Sequence, residues 1–296
     1  MEIAGYLSLG LMLSLAAPAQ ALAGAEMPLY IGMLEGPQTA ASPPDPPVSS
    51  QPHVRIAFRK SGEVWQALPT DFGSPAALAQ ATHGYPASVQ WTVVLNGKAL
   101  GHLSSRNPDG LRWYADIGTH VITSNAADIP IATKPLLLVS APHYEDPAGW
   151  QSSTLTKPER RLVAAALRRK VPATERCKAP EELPIQRVPY DDDKIAIIGV
   201  YRSNRGELLV GERLQDPQAN CGFFNDQHFF SYWFVRHGRQ RIQYLDSNMT
   251  PVVAADLDGS GQSVWIFLTA RGEDEQGYEL FYNDFGRRSY FHWTYH

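Results

Sequence analysis

The second half of the chain is cut into short segments by glycine, asparagine and aspartate, and none of those segments is long enough for a helix of ordinary length. The apolar-rich runs are Lys194–Arg202, Glu207–Arg213, His228–His237, Arg241–Leu245, Val264–Thr269, Tyr278–Tyr282 and Ser289–Trp293. Short runs with turn residues between them are the pattern of antiparallel strands joined by tight connections. Within the aromatic run, Phe230, Tyr232 and Phe234 share one face of a strand, and Phe229, Trp233 and Val235 share the other. Apolar residues on both faces describe a strand buried on both sides, rather than an exposed platform for sugar rings.

The first half carries the same signals less densely. Strands are predicted at Met27–Glu35, Val54–Arg59, Glu63–Leu68, Val89–Leu95, Ala99–Leu103, Leu111–Ala115, His120–Thr123 and Pro135–Ser140. Asn96-Gly97 between two alternating runs is a strong hairpin signal. Residues 36–53 hold Pro37, Pro43, Pro44, Pro46, Pro47 and Pro52, and are expected to form an extended loop. Two helices are predicted. One opens at Ser74-Pro75 and closes at Gly84; the other is Lys157–Lys170, with Thr156 and Glu159 forming a capping box and Pro172 stopping it. Its inward face is read as Leu162, Val163, Ala166 and Leu167, and Arg168, Arg169 and Lys170 complement its negative end. The fold class is therefore mainly β, antiparallel and two-lobed with one or two short helices, with α+β as the alternative. The predicted division is a leader at 1–23, an N-terminal β-rich lobe at 24–150, a helical connector at 151–185 and a C-terminal β lobe at 186–296. No exact internal repeat is visible.

Residues 3–17 are apolar and uncharged, and Ala19-Gln20-Ala21 and Ala21-Leu22-Ala23 both fit the small-residue rule for signal cleavage. Cleavage is expected after Ala23, which places the protein in the periplasm or outside the cell. No later segment is apolar for long enough to span a bilayer. In an oxidising compartment Cys177 and Cys221 have one possible pairing, and that disulfide would stabilise the fold by up to about 4 kcal/mol. With 26 basic and 30 acidic residues, the chain lacks the basic excess of a nucleic-acid binder. A hydrophobic content of 44% likewise excludes disorder along the whole length.

The most specific motif is Asp256-Leu257-Asp258-Gly259-Ser260-Gly261-Gln262, which leads into Val264-Trp265-Ile266-Phe267. Oxygen donors at alternate positions of a glycine-permitted loop suit a hard cation such as Ca²⁺. The segment resembles a single degenerate FG-GAP or integrin-alpha type calcium loop, in which an acidic D-x-D-G-D-G turn precedes a strand. The resemblance implies calcium held by Asp256, Asp258, Ser260 and Gln262, with Gly259 and Gly261 shaping the turn. Ser260 replaces the third acid and Val264 the last carboxylate, so an ion here would be weakly held. The next strand, Gly277–Phe285, together with this loop, looks like the C-terminal part of uncharacterised exported bacterial proteins, and that likeness implies no activity.

No G-x-S-x-G, H-E-x-x-H, P-loop or G-x-G-x-x-G motif is present. His292 and His296 lie too far apart on one strand for a shared metal. The expected function is an exported, non-catalytic binding or structural module of the cell envelope, with calcium as its one possible cofactor. Its partner would be an envelope protein or a glycan. The alternative is an extracytoplasmic hydrolase of carbohydrate or peptide that draws on carboxylates such as Glu145, Asp146 and Asp256.

Overall fold

The computed structural model describes residues 28–36, 53–69, 86, 88–106, 121–122, 135–140, 143–176, 186–215, 231–238, 242–271 and 275–294, with only the backbone for a few residues at strand ends. The leader at 1–23, most of the Pro-rich loop, the helix at 74–84, the strand at 111–115, the segment at 223–230, Cys177 and Cys221 lie outside these residues. The fold is mainly β. Among the described residues there is one long helix, α1 (Lys157–Lys170), and no helix is long and apolar enough to cross a membrane.

The first sheet is built from β1 (Tyr30–Glu35), β2 (His53–Ser61), β3 (Val64–Ala67), β4 (Ser88–Leu95), β5 (Lys98–Arg106), β6 (Val121–Ile122) and β7 (Leu136–Val139). Its order is β3-β2-β1-β7-β4-β5, and β6 pairs with β2. The β4–β5 turn is the expected Asn96-Gly97 hairpin, with both residues at positive φ (50° and 71°).

The second sheet takes β8 (Gln151–Ser152), β11 (Ile195–Arg202), β12 (Leu208–Leu214), β13 (Ser231–Arg236) and β14 (Gln243–Ser247), in the order β14-β13-β12-β11-β8. A separate two-stranded sheet pairs β9 (Thr174–Arg176) with β10 (Gln186–Val188) in antiparallel fashion. The third sheet is a four-strand meander of β15 (Met249–Ala255), β16 (Val264–Arg271), β17 (Glu275–Tyr282) and β18 (Arg287–Thr294). β15 has no strand signal in the sequence. Pro251 and the small residues Ala254 and Ala255 hide it, and proline is tolerated there because β15 is an edge strand.

The layers stack in an order different from the chain order. One face of the third sheet, carrying Val264, Ile266, Tyr278, Leu280 and Phe291, packs on Met33, Phe58 and Trp91 of the first sheet. Its other face, carrying Trp265, Phe267 and Phe281, packs on Leu209, Trp233, Val235 and Leu245 of the second sheet. The far face of the second sheet, with Leu208, Val210, Tyr232 and Phe234, is covered by Val163, Ala164, Ala166 and Leu167 of α1. The described part of the aromatic run thus divides between two cores, as its alternation requires. Leu162 does not join the inward face of α1; it is 51% exposed, and Ala164 is buried in its place.

Two local devices fix the stacking. Gly199, Gly211 and Trp233 stand in register across three strands. A Cβ on Gly211 would come within 2.7 Å of the Trp233 ring, so only glycine leaves room for the indole. That ring is anchored by Nε1 donating to the Met249 carbonyl at 2.7 Å. Between the first and third sheets, buried Glu35 accepts from Arg55 Nε (2.9 Å) and Nη2 (3.0 Å), and Tyr278 donates its hydroxyl to Glu35 Oε1 at 2.5 Å.

Breaking a buried, hydrogen-bonded ion pair from one side costs about 3–5 kcal/mol, whereas losing one hydroxyl bond to a charged acceptor costs about 1.5–3 kcal/mol. Urea unfolding is therefore expected to rank Glu35→Ala as more damaging than Tyr278→Phe. Equal losses would mean that the carboxylate serves the inter-sheet hydroxyl and not the guanidinium.

Candidate functional site

The acidic loop connects β15 to β16. The Asp256 carboxylate faces its own backbone: Oδ1 accepts from the N–H of Asp258 (3.3 Å) and of Ser260 (3.1 Å), and Oδ2 from that of Gly261 (2.8 Å). Asp258 Oδ1 accepts from Ser260 N (3.1 Å), and its Oδ2 lies 2.5 Å from the Lys60 ammonium on β2. Burial works to raise the Asp258 pKa, but the Lys60 and Ser260 hydrogen bonds prevail and hold it below the usual carboxylate range. Ser260 Oγ accepts from the backbone N–H of Gln262 at 3.3 Å. Gly259 and Gly261 both sit at positive φ, as the turn requires, and Gly259 lies against the His143 ring. The four residues singled out in the sequence share one compact turn. In this arrangement the side-chain oxygens of Asp256, Asp258 and Ser260 serve backbone donors and a lysine, and among the described residues no group of three His, Cys, Asp or Glu side chains converges on a metal-sized space.

Of the neighbouring acids, Asp146 is engaged through its carboxylate and Glu145 through its backbone. Asp146 accepts from Ser263 Oγ (2.5 Å), Ala148 N (3.1 Å) and Trp150 N (2.6 Å). The carbonyl of Glu145 accepts from Asp256 N at 2.6 Å. Asp146 borders a cleft of about 510 Å³ with Trp150, Tyr201, Trp265 and the Asn96-Gly97 hairpin tip. The rings there pack edge-on to one another, Trp150 on Trp265 at 5.3 Å and Tyr201 on Trp265 at 5.4 Å, so much of the aromatic surface is turned to core packing.

A larger cleft, of about 760 Å³, lies where the C-terminal end of α1, the outer strand β14 and the β17–β18 turn meet. All five β14 residues line it, together with Lys170, Tyr232, Phe285 and Arg287. The turn that closes one wall is unusual: Asn283, Asp284 and Phe285 all have positive φ (51°, 51° and 63°). Asparagine and aspartate tolerate this conformation; phenylalanine does not readily, and such strain persists only where packing over-determines it. Phe285 supplies that packing by burying its ring against Phe281, Trp150 and Trp265.

Arg288 spans the cleft floor, its Nη1 donating to Asp246 Oδ2 on β14 (2.9 Å) and to buried Glu279 on β17 (3.0 Å). Partial burial works to lower the Arg288 pKa, but the two carboxylates raise it on balance. Lys170 lies over the Tyr244 ring, 4.3 Å from its centroid. Neither Lys170 nor Arg287 has an ion-pair partner among the described residues. The sequence does not announce this cleft: by sequence Lys170 is a helix-end charge, and the Arg287-Arg288 pair after the turn is the one available signal.

Behind the cleft, Tyr232 stands opposite Glu212 across the β12–β13 pair. Glu212 is fully buried on the helix-facing side of the sheet, and neither carboxyl oxygen has a hydrogen-bond partner among the described residues. Burial pushes its pKa up to about 8, against the pull of Arg160 and Arg168 and with help from Asp192. Burial likewise raises Tyr190 to about 12 and pushes the Tyr232 hydroxyl up. Glu159 behaves oppositely. Burial would raise it, but the Thr156 backbone and hydroxyl and Arg202 bring it down to about 2. It also accepts from Arg236 Nη2 at 3.0 Å, so the N-terminal turn of α1 is tied to both β11 and β13.

No protein-family model, no curated protein and no solved structure matches the chain.

These two carboxyls set opposite pH limbs. Glu212 keeps its proton in the folded protein after the unfolded chain has released it, so stability falls as pH rises from about 4.5 to about 8, by up to about 1.4 kcal/mol per pH unit. Glu159 contributes stability above the ordinary carboxylate pKa that is lost as pH falls toward about 2. Urea midpoints measured across this range should show Glu212→Gln flattening the alkaline limb and Glu159→Gln the acid limb. An unchanged alkaline slope in Glu212→Gln would assign the limb to another group.

Proposed function

We propose that the protein is an exported, periplasmic or secreted, non-catalytic binding module of the cell envelope. Its partner, a protein or a glycan, is engaged through the cleft between α1, β14 and the β17–β18 turn. Export is supported by the apolar N-terminal segment and its small-residue cleavage pattern. Binding without catalysis is supported by one observation: the carboxylates that border the two clefts, Asp146 and Asp246, are engaged by fixed donors of the fold, whereas Lys170 and Arg287 have no ion-pair partner among the described residues. A hydrolase of the carboxylate type needs an acid and a base poised at the substrate. A cleft bounded by uncompensated cations and aromatic rings suits recognition instead.

The calcium reading of the acidic loop is kept as a secondary part of this proposal. Asp258 already neutralises Lys60, so an ion would enter only by displacing that ammonium, and affinity would be low.

A thermal-unfolding panel tests both parts. Neutral glycans and peptides of either charge should include a ligand that raises the midpoint without being consumed, and the shift should be lost in Lys170→Ala and Arg287→Ala. Turnover of any panel member that is abolished by Asp146→Asn or Asp246→Asn would establish the hydrolase instead. Millimolar Ca²⁺, against EDTA and Mg²⁺, is expected to raise the midpoint more in Lys60→Met than in the parent, and not at all in Asp256→Ala. A ligand at about 100 times its Kd adds about 2.7 kcal/mol, well within reach of the method.

A further inference from the structure

We propose that the outward face of α1 is a docking surface for an anionic phospholipid bilayer, which it meets side-on through its cations and a short apolar stripe. The surface is distinct from the cleft, and Lys170 alone of its residues lines both. Because α1 covers the far face of the second sheet, its own outer side is left to solvent. Lys157, Arg160, Arg161, Arg169 and Lys170 are exposed, and none has an ion-pair partner among the described residues. The one acid of the helix, Glu159, is buried and taken by Arg202 and Arg236. Arg168 is left out of the count, because it donates to Asp192, which Asp191 and Asp193 flank in the chain. A helix about 21 Å long therefore concentrates uncompensated positive charge on a chain whose net charge is -4.

The apolar residues of α1 fall into two sets. Val163, Ala164, Ala166 and Leu167 pack on the sheet. Pro158, Leu162 and Ala165 recur at i, i+4 and i+7 on the opposite side, and all three are exposed. Helical spacing puts Arg161 beside this outward stripe and Arg169 one turn past Ala165, at its end. That combination selects the occupant. A convex rod offers a small anion only one or two of its cations at a time, whereas a flat array of headgroup phosphates meets several together. Guanidinium groups pair with phosphate in bidentate fashion. Leu162 would reach the boundary of the acyl chains, where a soluble polyanion has nothing apolar to offer it. α1 is also held from rolling its buried face outward. Glu159 ties its first turn to β11 and β13, and just past its last turn the Val171 carbonyl accepts from the Tyr190 hydroxyl at 2.6 Å. The protein thus adheres peripherally, with the stack intact.

The test sediments the exported, processed protein with vesicles of phosphatidylcholine alone and of an equal mixture of phosphatidylcholine and phosphatidylglycerol. Heparin, titrated separately, serves as a soluble polyanion. Sedimentation is expected with the mixed vesicles only, and it should fade as salt is raised. Each cation near an acidic bilayer strengthens binding about fivefold, so Arg161→Gln with Arg169→Gln should weaken it by about twentyfold or more. Leu162→Ser should weaken vesicle binding by about threefold or more and leave heparin binding unchanged. All three side chains are exposed, so the unfolding midpoint should hold in these variants. Lys170 and Arg287 are untouched, so any ligand response of the cleft should persist and the cleft reading is judged separately. Equal sedimentation with neutral vesicles, or none with either kind, would overturn the proposal. So would vesicle binding that survives the arginine substitutions. Heparin bound as tightly as the mixed vesicles, with Leu162→Ser changing neither, would put a soluble polyanion in place of the bilayer and overturn it as well.

Discussion

The third sheet is apolar on both faces, and the rest of the architecture follows from that. Successive residues of β16 and β17 alternate between two cores, with Ile266 and Leu280 on one side and Trp265, Phe267 and Phe281 on the other. A sheet of this kind cannot face water, so it must be covered twice. The chain covers one face with its N-terminal sheet and the other with the sheet formed just before it. The second sheet then has its own outer face to cover, and α1 does so. Each layer answers an exposed face left by the one beneath it, which is why the C-terminal segment ends up inside the stack although it comes last in the chain.

Where two such layers meet, most of the buried charged side chains are paired. Glu35 with Arg55 and Tyr278, Glu159 with Arg202 and Arg236, Asp258 with Lys60, and Arg288 with Glu279 and Asp246 each join one element to another. Such contacts contribute little net attraction once desolvation is counted, but they penalise misregistration strongly because a shifted layer would leave a buried charge alone. Glu212 departs from this rule. Its carboxyl has no hydrogen-bonding partner among the described residues, so it is best buried as a neutral acid, and the docking of α1 inherits its pH dependence.

Much of the architecture was legible because it depends on period and punctuation. The two-sided burial of Tyr232, Trp233, Phe234 and Val235, the capping box at Thr156 and the Asn96-Gly97 hairpin are all local rules that the structure obeys. What escaped was set by distant partners. β15 is a strand because β16 pairs with it, in spite of Pro251. Leu162 was placed inward because helical period alone cannot fix where an apolar stripe begins, and Ala164 holds that position. The cleft draws on α1, β14 and β18, elements far apart in the chain, and no linear motif could have assembled Lys170 with Arg287.

The acidic loop balances its charge within the fold. A calcium loop concentrates carboxylates until only a divalent ion can balance them. Here the loop holds two aspartates, Asp256 and Asp258. Three backbone N–H groups satisfy Asp256, while a single ammonium from β2 balances Asp258. That balance does mechanical work as well. Lys60 belongs to the first sheet and Asp258 to the loop of the third, so the ion pair ties together two layers that also meet through apolar contacts and the Glu35 cluster. An entering Ca²⁺ would have to compensate for that tie as well as for the dehydration of its own shell. Any calcium response of this loop would therefore be coupled to the packing of the first sheet on the third, and it would be read most directly in the stability of the whole stack.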